Sequence, residues 1–325
     1  MPANLPPQYF EAEKRFRAAK SPVEKMVTLE EMLAIMPKHK GTDHLRAELR
    51  SRMAKLSQMA AKKAGAQRAS MAIDKEGAAQ LGVTGLPNSG KSRLVAAITN
   101  ASPTVAEYPF TTHSATPGMM AFENIKIQLI DTPPLPPQSS QWWLPPMFRQ
   151  TDALLVMVDL NDRPLAQLET SIAELGKMRI VISRAKAEEE PGTIWQKKAL
   201  IIGNKTDLDE NNRSYQALLN KYKGPLPVAA ISAKDGTGLD ELRLKIYQML
   251  DIIRVYTKAP GKKAELTEPV ILSRGSTLHD AATSVHKDFG QKLKYARIWG
   301  SGKHEGIMAK RDHVLQDGDV IELHL

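Results

Sequence analysis

Val23, Met26, Leu29, Met32, Leu33 and Met36 recur at the three- and four-residue spacing of an amphipathic helix. Ser21-Pro22 with Glu24 reads as a capping box with proline at the first helical position, and Pro37 ends the run. After the basic turn Pro37-Lys38-His39-Lys40-Gly41, Thr42 can cap a second helix striped by Leu45, Leu49, Met53 and Leu56. The pattern predicts an αα-hairpin. Its tail from Ala60 to Ala66 runs down into small and basic residues, as a linker or a helix end lying on a partner does.

From about residue 78 the pattern becomes short apolar runs alternating with helical ones. Strands are predicted at Gln80–Thr84, Gly118–Phe122, Lys126–Ile130, Ala153–Val158, Ala199–Gly203 and Pro227–Ile231, with Glu123-Asn124 turning the second into the third. Helices are predicted at Lys91–Thr99, Gln141–Arg149, Pro164–Met178, Glu210–Lys221 and Gly238–Met249. Such alternation implies βαβ units on a mostly parallel sheet, whose ligands bind in loops beyond the carboxyl ends of the strands. The last stretch differs. Strands at Glu268–Leu272, Lys294–Trp299 and Val320–Leu325, a helix at Thr277–Lys287 and the turn Asp317-Gly318-Asp319 suggest a small α+β module. The expected organisation is a hairpin over 1–75, an α/β domain over 76–261 and an α+β module over 262–325.

Charge divides the chain the same way. Residues 1–75 carry 15 Lys/Arg against 8 Asp/Glu, residues 76–261 carry 20 against 19, and residues 262–325 carry 10 against 9. Nearly all of the net +9 therefore lies in the hairpin. This suggests contact with a polyanion such as nucleic acid, or a lysine-rich solvated face. The hydrophobic share of 42% excludes wholesale disorder. With no cysteine, a thiol nucleophile and a cysteine-ligated metal site are excluded. No apolar run is long enough for a membrane span and no secretory signal is evident, so a cytoplasmic protein without membrane contact is expected. None of the eight histidines makes a metal motif, and the methionines on helical stripes read as core.

Gly85-Leu86-Pro87-Asn88-Ser89-Gly90-Lys91-Ser92 matches G-x-x-x-x-G-K-[ST], directly after a predicted strand and opening a predicted helix. In such a loop the backbone N–H groups from Asn88, Ser89 and Gly90 onward curl around a β-phosphate at a helix N-terminus. Lys91 would reach the β- and γ-phosphate oxygens, and the Ser92 hydroxyl would ligate Mg²⁺. Asn204-Lys205-Thr206-Asp207 follows a strand 112 residues after Ser92, where a base-binding loop belongs. A carboxylate at Asp207 can accept from guanine N1–H and its 2-amino group, a donor pair adenine lacks. Asn204 would tie loops together and the Lys205 stem would pack over the base. Ser232-Ala233-Lys234 forms the second base loop, where the Ala233 N–H would meet the guanine carbonyl oxygen.

This order of motifs resembles the Obg-type GTPases, on the branch of the developmentally regulated GTP-binding proteins. Tyr108-Pro109-Phe110-Thr111-Thr112 looks like that family's first switch, with Thr112 matching the threonine that closes on Mg²⁺ and the γ-phosphate. Asp131-Thr132-Pro133-Pro134 looks like the second switch, whose aspartate holds Mg²⁺ through water. Lys294–Gly300 and Asp317–His324 are similar to a TGS domain, a β-grasp module. The resemblance implies a P-loop NTPase G domain between an N-terminal helical hairpin and a TGS domain. It also implies a GTP/GDP switch that works on the ribosome or structured RNA, with a protein partner for the switch or TGS surface as a further expectation.

Two departures bear on hydrolysis. The family has glycine where this chain has Pro134, and proline offers no N–H to sense a γ-phosphate. The next residue is Leu135 rather than a water-orienting glutamine. A nucleotide-dependent binding module with negligible turnover is thus the alternative. Asn88 matches the asparagine that some of these GTPases use to hold K⁺, or it stabilises the loop. Residues 159–198 have room for one helix, a charged loop and a strand, but not for the domain that eukaryotic members insert there. Trp142-Trp143 either anchors a partner or packs on the second-switch helix.

Overall fold

Ala79, Leu81 and Val83 bury one face of β1 (Ala79–Gly85), while Gln80, Gly82 and Thr84 are buried on the other. A strand covered on both faces belongs at the centre of a parallel sheet. In the computed structural model it does, between β3 (Ile125–Asp131) and β4 (Ala153–Asp159). The structure describes residues 6–18, 28–29, 31–33, 35–36, 45, 48–49, 73–99, 115–137, 143–183, 194–222, 224, 226–264, 266–300 and 306–324. The chain divides into two compact units, Met1–Ala72 and Ile73–Leu325.

In the first unit Tyr9, Ala12, Leu29, Met32, Met36 and Leu49 are buried together, so both predicted stripes supply core. An additional helix, α1 (Pro7–Ala18), supplies Tyr9 and Ala12. Its stripe is only Tyr9, Ala12 and Phe16 among charged residues, too sparse to stand out by period. The hairpin's cations Lys38, Lys40, Arg46, Arg50, Arg52, Lys62 and Lys63 lie outside the described residues, as does the tail 60–66.

The second unit holds two sheets. The first runs β2-β3-β1-β4-β6, and the far edge of β6 (Trp195–Asn204) pairs with both β5 (Ile180–Ser183) and β7 (Val228–Ile231). Only β2 (Thr116–Phe122) is antiparallel, returning into β3 through the expected Glu123-Asn124 turn. Register aligns Val83 with Asp131, Asp159 with Asn204, and Asn204 with Ile231. The predicted loops therefore leave one end of the sheet. Helix α2 (Lys91–Ile98) packs Leu94, Val95 and Ile98 into a core shared with Leu242 and Ile246 of the later helix 239–250. Between Asp159 and Lys198 lie one helix, α4 (Pro164–Lys177), and β5, with 184–193, including Glu188-Glu189-Glu190, outside the described residues. Helix α3 is Leu144–Gln150 and buries Trp143 just before it, so that tryptophan packs rather than presents, while Trp142 is not among the described residues.

The second sheet is built from β8 (Ile252–Thr257), β9 (Val270–Ser273), β10 (Tyr295–Trp299), β11 (Ile307–Ala309) and β12 (Val320–His324), in the order β11-β10-β12-β8-β9. Its strand β8 (Ile252–Thr257) lies before the expected residue-262 boundary. Only Asp251, in the left-handed conformation, separates β8 from the helix 239–250, so no linker composition marks the junction. The predicted single helix Thr277–Lys287 is two helices, Leu278–Val285 and Lys287–Lys292, broken at His286 in extended conformation. Thr277 and Asp280 cap the first reciprocally. The edge strand β11 (Ile307–Ala309) exposes Met308 at 62%, so this methionine is not core. Among the described residues no helix is long and apolar enough to cross a membrane.

Candidate functional site

Gly85 and Gly90 open and close the loop between β1 and α2 at φ of 148° and 95°. A Cβ on Gly85 would lie 2.4 Å from the Met157 carbonyl oxygen, and one on Gly90 would lie 2.2 Å from Asn204 Nδ2, so only glycine fits either place. Gly90 offers α2 no side-chain cap, leaving the first-turn N–H groups open to an anion. Lys91 is buried and folds back across the loop, its Nζ donating to the carbonyl oxygens of Gly85 (3.1 Å) and Leu86 (2.9 Å). Burial holds this ammonium below the usual lysine value, an effect the nearby Asp131 carboxylate partly offsets. Ser89 Oγ also donates to Leu86 O, at 2.9 Å.

Asp131 ends β3 beside the loop. Burial raises its pKa, against the opposing effects of Ser92, Lys91 and the Thr132 backbone. Its Oδ1 is buried with no hydrogen-bond partner. An orphaned carboxylate oxygen beside a serine hydroxyl is an all-oxygen donor set that suits Mg²⁺. Thr132 Oγ1 donates to Val83 O at 2.7 Å, and the Leu135 N–H donates to Gly85 O at 3.0 Å with the leucine side chain fully buried. The segment 131–135, expected as the second switch, is thereby fastened to β1 and to the loop that follows it. Tyr108–Thr112 and His113 lie outside the described residues. A cavity of about 520 Å³ opens between Asn88, Lys91, Ser92, Asp131 and Pro134.

A second cavity, also about 520 Å³, lies between the predicted base loops. Asn204 Nδ2 donates to Ser89 O at 2.8 Å, and its Oδ1 accepts from the Ala233 N–H at 3.0 Å. Asn204 thus ties three loops, as expected. It also occupies the Ala233 amide that was expected to meet the guanine carbonyl oxygen. The Lys234 N–H, held only by a 3.3 Å bond to Ser232 Oγ, is the freer donor. Ser232 Oγ donates to Asp207 Oδ1 at 2.8 Å, while Lys234 Nζ stands 4.0 Å from Oδ2. Lys205, at φ 69°, lines this cavity and pairs its Nζ with Asp159.

The sequence of residues 80–186 matches the family model described as 50S ribosome-binding GTPase, and residues 253–325 match the TGS domain. An uncharacterised GTP-binding protein of Methanocaldococcus jannaschii is 29% identical over 92% of this chain and 92% of its own length. Developmentally-regulated GTP-binding protein 1 of Xenopus laevis is 28% identical over 92% of this chain and 98% of its own. Along nearly its whole length the chain is thus similar to the developmentally regulated GTP-binding proteins. It is a GTP-binding protein with a P-loop G domain and a C-terminal TGS domain.

Sequence reading missed one residue of this G domain. Arg93 lines both cavities, as do Asn88 and Gly90. It is exposed on the first turn of α2, and no side-chain hydrogen bond or ion pair holds it among the described residues. A ligand that fills both cavities must pass this guanidinium. The signal was available: the arginine directly after Ser92 is the third residue of a helix with no side-chain cap.

Proposed function

We propose that this chain is a cytoplasmic switch that hydrolyses GTP to GDP and phosphate and works on the ribosome or another structured RNA. The observation that carries the guanine-nucleotide reading is Asn204, which joins the phosphate loop at Ser89 to the base loop at Ala233. It sets the Asp207 carboxylate and the Lys91 ammonium at two ends of one ligand path. Asp207 Oδ2 would accept from the guanine edge, with Oδ1 held by Ser232. Lys91 would exchange its loop carbonyls for phosphate oxygens. Ser92, Asp131 and Thr112 would hold Mg²⁺, which supplies charge neutralisation on the β- and γ-phosphates. Asn88, at φ 61° on the rim of both cavities, is the candidate for K⁺. The RNA half of the reading is supported by the TGS domain and by the basic charge of residues 1–75.

The alternative is a nucleotide-dependent binding module with negligible turnover. One observation favours it: Pro133, Pro134, Pro136 and Pro137 carry no N–H, and the Leu135 N–H is already donated to Gly85 O. Titration of fluorescent GDP, GTP and ATP analogues with Mg²⁺, in NaCl and then KCl, with phosphate release followed in parallel, separates the readings. Guanine-selective binding with release, rising in KCl or on adding ribosomes, is expected. Guanine-selective binding without release under any of these conditions supports the binding module. Absence of guanine preference overturns the reading of Asp207.

A further inference from the structure

At the opposite end of the first sheet a third cavity, of about 460 Å³, lies where the G domain meets β8 and β9 of the TGS domain. The strand β6 separates it from the nucleotide loops: Trp195 and Lys198 line it from the strand's start, while Asn204 ends the strand about 30 Å away at ordinary strand rise. It is therefore no extension of the nucleotide site. Four cations line it, Lys75, Arg149, Lys197 and Lys198, against one carboxylate, Asp152.

These cations are fixed to the scaffold largely through carbonyl oxygens, which orient them without cancelling their charge. Lys197 is buried and donates to the carbonyls of Arg149 and Thr151, the latter at 2.7 Å. Lys198 donates to Leu250 O at 3.0 Å, with Asp251 at 4.0 Å. Arg149 donates from one Nη to Met178 O at 3.0 Å, yet its Nε–H is buried without an acceptor. Lys75 pairs with a carboxylate, Asp152 at 2.8 Å, and both are substantially exposed. A cavity lined by a surplus of positive charge fits an oxyanion. At its rim Trp195 is 37% exposed, and no ring contact or side-chain hydrogen bond engages its indole among the described residues. An exposed aromatic ring beside anchored cations is the combination that stacks a base and neutralises its phosphate.

We infer that this cavity binds a phosphate-linked nucleoside of single-stranded RNA, the base stacked on Trp195 and the phosphate between Lys75, Arg149 and Lys198. The inference rests on the RNA half of the proposed function, and it places RNA contact on a seam that includes residues of both domains. An RNA strand held there touches β9 and the start of β6 together.

The test is fluorescence anisotropy of an end-labelled ten-nucleotide oligouridylate, titrated with the full chain saturated with GDP. Trp195→Ala is expected to weaken binding about tenfold or more, and Trp195→Phe to stay within about threefold of wild type. Lys75→Glu should weaken binding and lower the slope of log affinity against log salt by about 0.7 or more. GDP affinity unchanged in all three variants shows that they fold. Variants that bind the oligonucleotide like wild type overturn the inference while leaving RNA binding to another surface. A wild-type chain that binds GDP but not the oligonucleotide also overturns it and leaves the nucleotide switch standing. Displacement of the oligonucleotide by UMP at equal concentration overturns RNA as the source of the nucleoside.

Discussion

The side-chain amide of Asn204 donates to the backbone carbonyl of Ser89 across 115 residues of sequence, at 2.8 Å. The same side chain accepts from Ala233. One asparagine thus satisfies two buried backbone groups in two loops, and its removal leaves both without partners. Asn204→Ala is expected to weaken GDP binding at least a hundredfold, since each orphaned group costs about 1–3 kcal/mol. Isothermal titration with GDP checks this. Affinity within about threefold of wild type would show that the loops keep their places without the tie.

Arg93 gives a prediction with a different signature. If its guanidinium meets the phosphate chain where the two cavities join, Arg93→Ala should weaken GDP and GTP together by about tenfold, roughly one charge-assisted hydrogen bond. Affinity for guanosine should not change. The side chain is exposed and makes no hydrogen bond or ion pair among the described residues, so melting temperature should hold within experimental error. Equal loss for guanosine and GDP would place Arg93 on the base or ribose instead.

Much of this site was legible because its chemistry is local. Gly85, Gly90, Lys91 and Ser92 occupy one loop whose glycines have no alternative at the observed close approaches. Asn204 and Asp207 were legible from their position after a strand. What escaped depended on partners distant in sequence. The Ala233 amide is engaged by Asn204, 29 residues earlier, a contact that no local pattern announces. The strand β8 escaped because its neighbours in the sheet, β9 and β12, are both later in the chain and no linker precedes it. His286 broke a helix that periodicity alone carried through, since a histidine at an extended position has no period to read.

The second switch gives the test that separates the two functional readings. Pro134→Gly restores an N–H at the place where the family carries one. For a working GTPase the substitution should change phosphate release less than about threefold, because catalysis then runs without that donor. A gain of tenfold or more, about 1.4 kcal/mol of transition-state stabilisation, would mean that Pro134 suppresses turnover, as the binding module requires. Single-turnover release from preloaded GTP, in KCl, is the measurement, since it is insensitive to nucleotide exchange.

Arg254 joins the G domain to the TGS domain. It stands in β8 and pairs bidentately with Asp317, Nη2 to Oδ2 at 2.8 Å and Nε to Oδ1 at 3.1 Å. Its other Nη reaches Glu123 and Asn124 in the β2–β3 turn. Asp317 also accepts from the Tyr247 hydroxyl at 2.9 Å, and burial and this carboxylate together push the tyrosine up to about 12. The side chain of Arg254 is only 13% exposed, so its charge is well shielded and its partners are largely fixed. Arg254→Ala removes a cation from two carboxylates and should cost about 2 kcal/mol of stability, or a few degrees in Tm for a unit of this size. Arg254→Lys should recover only part of that, because an ammonium cannot hold Asp317 bidentately while reaching Glu123. The turn it grips lies between β2, which follows the first switch in sequence, and β3, which ends at Asp131. If the grip matters only to stability, GDP affinity at 20 °C should stay at the wild-type value in both variants while Tm falls. A fall in GDP affinity at a temperature where both variants remain folded would instead make Arg254 part of the coupling between the TGS domain and the nucleotide.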